Sequence, residues 1–317
     1  MAMNLPYIDA PSVHAALPWP RLVDALAEAF AAGAEAPLRS SHAVTPAGDR
    51  LLVMPAWRSG ADLGVKVVTV FPGNAARGVA SVAAVYLLLN GATGHPRAVI
   101  DGEALTLRRT AAASALASRL LSREDSRTLL VVGTGALAPY MAEAHCAVRA
   151  IERVLVWGRD ASRAQAAVER LRAARVPAER ADELERAVRA ADIVTCATTS
   201  REALVHGAWV RPGTHVDLVG GFTPDMRECD DALVERASVY VDTCAGALKE
   251  AGELVQALAS GRITRSHVRA ELAELIRGER PGRTDAAEVT LFKSVGTALE
   301  DLCAARLVVD QIGRPLA

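Results

Sequence analysis

Leu129-Leu-Val-Val132, followed at once by Gly133-Thr134-Gly135-Ala136-Leu137-Ala138, is the stretch that decides the fold. Four consecutive apolar residues read as a strand buried on both faces, and the spacing from 136 to 149 is helical. A GxGxxA turn between strand and helix has a physical purpose. The first glycine permits the tight turn, the second lets the backbone approach a pyrophosphate, and Ala138 lets helix and strand pack closely. The N–H groups of Gly133, Thr134, Gly135, Ala136 and Leu137, with the helix dipole behind them, then face the negative charge. A glycine-rich connection without a ligand can carry the same letters, so the surroundings have to discriminate.

They do so by rhythm. Strand Val154–Trp157, helix 161–174 and strands over 192–197, 214–219 and 239–242 continue an alternation that specifies a parallel, doubly wound sheet. Thr198-Thr199-Ser200 and Val219-Gly220-Gly221 end two of these strands. Strand ends of this kind border the ligand crevice, where hydroxyls bond ribose and nicotinamide and glycine lets the cofactor close. The second strand ends Val156-Trp157-Gly158-Arg159-Asp160, with glycine where an NAD site usually carries an acid. A 2′-phosphate would meet the Arg159 guanidinium there, so NADP(H) is favoured over NAD(H). The alternative leaves Asp160 as the ribose acid and Arg159 in solvent.

Before Thr110 the pattern differs. Residues 20–33 have helical spacing, with Pro20 at the start and Gly33 at the end. Short apolar runs at 51–54, 63–70, 83–89 and 97–100, separated by Pro, Gly and Asn, predict a largely antiparallel sheet packed on a helix. A helix follows over Thr110–Leu121. A last helix, about 290–310, can return to this first lobe. The division is then 1–112 with a C-terminal helix 293–317, and 113–292 for the dinucleotide-binding domain.

The chain has 317 residues with a net charge of −1, 51% apolar and 4% aromatic. That charge gives no basic footprint for nucleic acid or an anionic membrane. The longest apolar stretch, Val79–Leu89, is far short of the ~20 residues that span a bilayer. Met1-Ala-Met-Asn-Leu-Pro-Tyr lacks a signal peptide's basic start and apolar run, so a cytoplasmic protein is expected. Five cysteines without CxxC or metal spacing are expected as buried free thiols, and no metal site is expected. Of 36 basic residues only Lys66, Lys249 and Lys293 are lysines, which singles out positions where an exchangeable proton matters.

Gly64-Val-Lys66-Val-Val, Leu105-Thr-Leu-Arg-Arg109-Thr-Ala-Ala, Gly133-Thr-Gly-Ala, Trp157-Gly-Arg159, Pro224-Asp-Met-Arg-Glu228 and Leu291-Phe-Lys293-Ser-Val-Gly296 resemble the ornithine cyclodeaminase/μ-crystallin family, in order, from about residue 35 onward. The resemblance implies a Rossmann domain inserted into a discontinuous α+β domain for substrate binding and dimerisation, and commonly a homodimer. It also implies that Arg39, Lys66 and Arg109 bind a substrate carboxylate, that Phe222 and Val295 lie by the nicotinamide, and that Thr198, Thr199, Val219 and Gly220 touch the cofactor. Without it, Arg109 reads as a helix-start arginine on a solvated face, Arg39 as a loop arginine paired with some carboxylate, and Lys66 as an exposed edge-strand lysine. Lys293 lines the cleft or caps a helix, and Ser294 reads as a cap. His206, His215 and Cys196 read as structural.

The family holds several reactions. Its cyclodeaminases place one acid in a Glu-Leu-Met-Pro run and another after the Gly-Gly pair; here Leu52 and Phe222 stand at those positions, and neither can accept a proton. Both this and Arg159 point to an NADPH-dependent reductase of cyclic imino acids of the Δ1-pyrroline-2-carboxylate or ketimine type, with Lys66 protonating the imine nitrogen. Ornithine cyclodeaminase, an alanine-dehydrogenase type of amino-acid dehydrogenase and a non-enzymatic binding protein remain the alternatives. Asp225 and Glu228 are the acids to examine if the first of these holds.

Overall fold

In a computed structural model, which describes residues 5–46 and 48–313, the Gly133 turn belongs to an eight-stranded sheet. Its order is Val268–Glu271, Ser238–Val241, Thr290–Lys293, His215–Leu218, Ile193–Cys196, Thr128–Val132, Arg153–Trp157 and Ala178–Arg180, with every pairing parallel. From Thr128–Val132 the chain builds outward through 153 and 178, then returns to the other side at 193. This reversal puts the glycine turn at the switch point where such sheets take ligands. Alternate residues of the founding strand feed different cores. Leu129 and Val131 pack with Ala138, Ala142, Val168 and Leu171, whereas Leu130 and Val132 pack with Val194, Val216 and Leu218. Burial on both faces explains the unbroken apolar run, each large side chain contributing about 1.5–3 kcal/mol.

The second sheet has six strands in the order Tyr7–Ile8, Pro96–Asp101, Val82–Asn90, Asp62–Val70, Arg50–Arg58 and Ser40–Ala43. Only its first pair is parallel. Helix Ala298–Ile312 packs on one face, where Met54, Ala56, Lys66, Val68, Tyr86 and Leu88 are buried, and helix Trp19–Ala32 packs on that helix. On the opposite face Val53, Val65, Val67 and Leu87 are half-buried and Val85 is exposed. Contacts divide the chain into unit 1, residues 5–110 with 297–313, and unit 2, residues 111–296.

Several expectations are corrected. Residues 290–293 are a strand in the middle of the parallel sheet, and the last helix begins only at Ala298, capped by Thr297. Thr-Leu-Phe-Lys is buried on both faces, which suits a strand, and Thr297 rather than Ser294 supplies the hydroxyl that accepts from Leu299 N. The helix expected from Thr110 starts at Gly102, where Asp101 Oδ1 accepts from Ala104 N at 2.8 Å, so Arg109 is in mid-helix. Helix Ala10–Ala16 and the short strands Tyr7–Ile8, Ser40–Ala43, Ala178–Arg180 and Val268–Glu271 carried no readable pattern. All five cysteines are free, but Cys146 and Cys244 are only half-buried. Residues 1–4 of the leader reading and 314–317 of the C-terminal helix reading lie outside the described residues. Among the described residues no helix is long and apolar enough to cross a membrane.

Candidate active site

Unit 2 presents a cleft of about 310 Å³ lined by Gly133, Thr134, Gly135, Trp157, Gly158 and Arg159 on one side of the switch point and by Thr198 and Thr199 on the other. Gly133 has φ 125°, and a Cβ there would lie 2.6 Å from the Ala197 carbonyl oxygen, so only glycine fits. At Gly135 a Cβ would meet nothing within 4 Å: the backbone faces open space. Helix Ala138–Val148 has no side-chain cap on its first N–H groups. An open glycine backbone and an uncapped helix start fit a dinucleotide pyrophosphate.

The missing ribose acid has a steric reason: a Cβ on Gly158 would lie 2.5 Å from Thr134 Cγ2. Asp160 does not replace it. Its Oδ1 accepts from Ser162 N at 2.9 Å, Arg163 N at 3.1 Å and Ser162 Oγ at 2.6 Å, capping helix Ala161–Ala173. Those bonds hold its carboxyl below the ordinary range. Arg159 and Arg163 both line the cleft beside it. Ala136, Leu137, Val219 and Gly220 are not on the cleft wall. Phe222 is 45% exposed, whereas Val295 is buried and its N–H donates to Asp242 Oδ2 at 2.8 Å.

Behind the Gly220-Gly221 turn lies a buried ionic cluster. Lys293 Nζ donates to the Gly220 carbonyl and sits 3.3 Å from Glu253 Oε2. Glu253 Oε1 accepts from Glu228 N at 2.7 Å. Glu228 Oε1 accepts from Thr198 N at 2.7 Å and Thr198 Oγ1 at 2.8 Å. Lys293 therefore neither lines the cleft nor caps a helix. Burial pushes the Glu228 carboxyl up to about 7, with Glu253 adding to the rise and Lys293 and the Thr198 bonds opposing it. Glu253 went unnoticed in the sequence, since a helix-start glutamate looks like any other.

Unit 1 holds the opposite arrangement. Lys66, 2% exposed, is paired through its strand to Met54 on one side and Tyr86 on the other, which removes the edge-strand reading. Its Nζ donates to Asp301 Oδ1 at 2.8 Å and to Thr106 Oγ1 at 3.3 Å. Arg109 Nε donates to the same Asp301 oxygen at 2.9 Å and Nη1 to Glu300 Oε2 at 2.6 Å. Thr106 and Arg109 share one face of helix Gly102–Leu121, three residues apart, and both acids occupy the first turn of helix Ala298–Ile312, where the dipole favours them. Arg39 is near enough for its charge to act on Lys66.

Burial, the Arg109 charge and, more weakly, Arg39 bring the Lys66 ammonium down to about 8, against the opposing pull of Asp301. Burial raises the Asp301 carboxyl, but Arg109 and Lys66 outweigh it and hold the group below the ordinary range. Lys66 and Arg109 are met by Glu300 and Asp301, and Arg39 adds a third cationic group near Lys66. Nη2 is the Arg109 nitrogen that neither acid takes. Such a cluster can receive one carboxylate. Leu52 and Phe222 bring no second acid to the positions the family resemblance marked.

His145, His215 and Asp217 form a further buried group in unit 2: His145 Nε2 lies 3.8 Å from Asp217 Oδ2, and His215 Nδ1 lies 3.0 Å from Thr290 Oγ1. Burial keeps both imidazoles below their ordinary range, hence neutral. His206 pairs with Asp230 at 3.1 Å. Among the described residues no cluster of three or more such side chains could hold a metal.

Comparison with known proteins gives a match to the ornithine cyclodeaminase/mu-crystallin family over residues 11–314, reaching further towards the N-terminus than the motifs did. A Δ1-pyrroline-2-carboxylate reductase of Paracoccus denitrificans is 41% identical over 302 residues, 95% of this chain and 94% of the relative. The structure of the Thermococcus litoralis Δ1-pyrroline-2-carboxylate reductase in complex with NADH and L-proline superposes with a TM-score of 0.92 at 33% identity, covering 97% of each chain. An archaeal alanine dehydrogenase dimer with bound NAD gives 0.91 at 29% identity, covering 98% of this chain and 96% of the other. The chain belongs to the ornithine cyclodeaminase/mu-crystallin family.

Proposed function

We propose that this member of the ornithine cyclodeaminase/mu-crystallin family reduces cyclic α-imino acids such as Δ1-pyrroline-2-carboxylate, with NADPH as the preferred hydride source. The observation that carries the reading is the buried cluster of unit 1, where Lys66 and Arg109 share one Asp301 oxygen, Arg109 Nη2 is taken by neither acid, and Lys66 is brought down to about 8. An α-carboxylate accepts from Arg109 Nη2. Arg109 and Arg39 hold it in plane, and Lys66 Nζ gives its proton to the imine nitrogen and regains one from solvent. The cleft-lining Gly133, Thr134, Gly135, Thr198 and Thr199, with Ala136, Leu137, Val219 and Gly220 assigned beside them, would hold a reduced nicotinamide dinucleotide, which would supply the hydride for the carbon bearing the carboxylate. Phe222 and Val295 are assigned to the apolar surroundings of the nicotinamide. Hydride and proton together turn C=N into CH–NH.

NADPH is favoured over NADH because Arg159, with Arg163 beside it, offers guanidinium groups to a 2′-phosphate while Asp160 is committed to its helix cap. The apolar face of the unit 1 sheet, with Val85 37% exposed beside Val53, Val65, Val67 and Leu87, supports a homodimer. Five free thiols agree with action in the cytoplasm. Oxidation of NADPH and of NADH with Δ1-pyrroline-2-carboxylate, beside ornithine plus NAD assayed for ammonia, tests the reading. Imine reduction, faster with NADPH and without ornithine deamination, is expected. Ammonia from ornithine with no imine reduction would overturn it.

A further inference from the structure

Gly220 and Gly221 end the strand His215–Leu218 at the ligand end of the sheet, and they rest directly on charged side chains. A Cβ on Gly220 would run into Glu228 Oε1 and the Thr198 carbonyl, and one on Gly221 would lie 2.6 Å from Glu253 Oε1. Lys293 Nζ holds the Gly220 carbonyl, and Gly221 O accepts from Gly252 N at 3.0 Å. Two carboxylates and one ammonium, each about 99–100% buried, thus form the floor under the turn. Glu228 Oε2 and Glu253 Oε2 are each without a hydrogen-bond partner. Two acids against one base leave one negative charge uncompensated, or one proton on the pair.

We propose that Glu228, with Glu253 and Lys293, is a positioning residue that fixes the Thr198 and Gly220 turns and couples the redox state of the bound nicotinamide to pH through the single proton of this cluster. The inference rests on the dinucleotide reading of the cleft. An oxidised nicotinamide ring carries a positive charge and a reduced one does not. An ionised cluster under the turn therefore favours the oxidised form, whereas a neutral one is indifferent to it. The groups around Glu228 come from several elements, and Lys293 also acts on the buried Asp217 of strand His215–Leu218, whose carboxyl burial raises. Lys293 comes from strand Thr290–Lys293 and Glu253 from helix Gly252–Ala259. Burial keeps the neighbouring thiols Cys196 and Cys229 far above their ordinary range, hence neutral. Arg227 is turned away to Asp231 at 2.6 Å and Gln256 at 3.2 Å. Burial pushes the Glu228 carboxyl up to about 7.

The test is equilibrium binding without substrate. NADPH is titrated by its fluorescence and NADP+ by displacement, at about pH 6 and about pH 8.5, either side of the Glu228 titration. The ratio of the two affinities cancels whatever titrates on the adenosine half of the ligand. In the full-length wild-type protein the ratio should move towards the oxidised form by about three- to tenfold as pH rises, the size of a partly screened unit charge. In Glu228→Gln, which keeps the oxygen that Thr198 bonds, the ratio should stay constant. Glu253→Gln, leaving one acid for one base, should flatten it as well and serves if the first variant does not fold. A flat wild-type ratio, or variants with the wild-type slope, would overturn the proposal while leaving the cofactor site intact. Absence of binding of either form by the wild type would instead overturn the dinucleotide reading and this inference with it.

Discussion

The two buried ionic clusters are made from the same kinds of group in opposite proportion. In unit 1, Lys66, Arg109 and Arg39 outnumber Glu300 and Asp301; in unit 2, Glu228 and Glu253 outnumber Lys293. A buried charge excess is costly unless something offsets it. A cationic excess can be offset by an anionic ligand. An acidic excess can be offset more simply, by keeping a proton. On the proposed reading the first group receives substrate and the second holds a turn; burial gives both shifts their direction, Lys66 down to about 8 with Arg109 adding to it and Glu228 up to about 7 against the pull of Lys293.

The largest effect expected is on turnover. Lys66→Met removes the proposed proton donor and one arm of the proposed carboxylate clamp, and should lower kcat by about 10³-fold or more while leaving cofactor affinity unchanged. Loss of both together would mark a folding defect. The next test removes one acid from each cluster. Asp301→Asn deprives Lys66 and Arg109 of their shared partner and should cost about 3–5 kcal/mol of stability in urea unfolding. Glu228→Gln should do the reverse at pH 8. Because the folded state raises this carboxyl, its stabilising contribution is present below the ordinary carboxyl range and lost as pH rises through about 7. The variant should therefore match wild type at low pH and exceed it by about 1–3 kcal/mol above neutrality. If both variants shift stability in the same direction, the contrast between the clusters fails. The mildest effect is a profile: kcat/KM should decline as pH rises above about 8, where Lys66 loses the proton it must donate.

Much of this was legible in the letters. Gly133-Thr-Gly135 in its strand–helix setting located the parallel sheet, because a run buried on both faces followed by a glycine turn has few other readings. Lys66 stood out among three lysines, and the family resemblance placed Arg109 beside it. Glu300 and Asp301 were not legible. Two acids in a helix's first turn ordinarily complement the dipole and face water, and only tertiary packing shows them closing on Lys66 and Arg109. Thr290–Lys293 was misread as helix because four residues with only Leu291 and Phe292 apolar have no distinctive period, and its neighbours in the sheet come from residues 50 or more positions away. Asp160 remained ambiguous until its bonds to Ser162 and Arg163 were visible.

The most direct test of the account compares NADPH oxidation with Δ1-pyrroline-2-carboxylate and with 1-pyrroline, the same ring without the carboxylate. If the cationic groups of unit 1 hold that carboxylate, kcat/KM should fall by at least about 10²- to 10³-fold when it is removed, the effect expected for loss of a charge-assisted clamp and its orienting role. Comparable turnover of the two rings would contradict the assignment of Arg39, Lys66 and Arg109, even with the reduction itself confirmed.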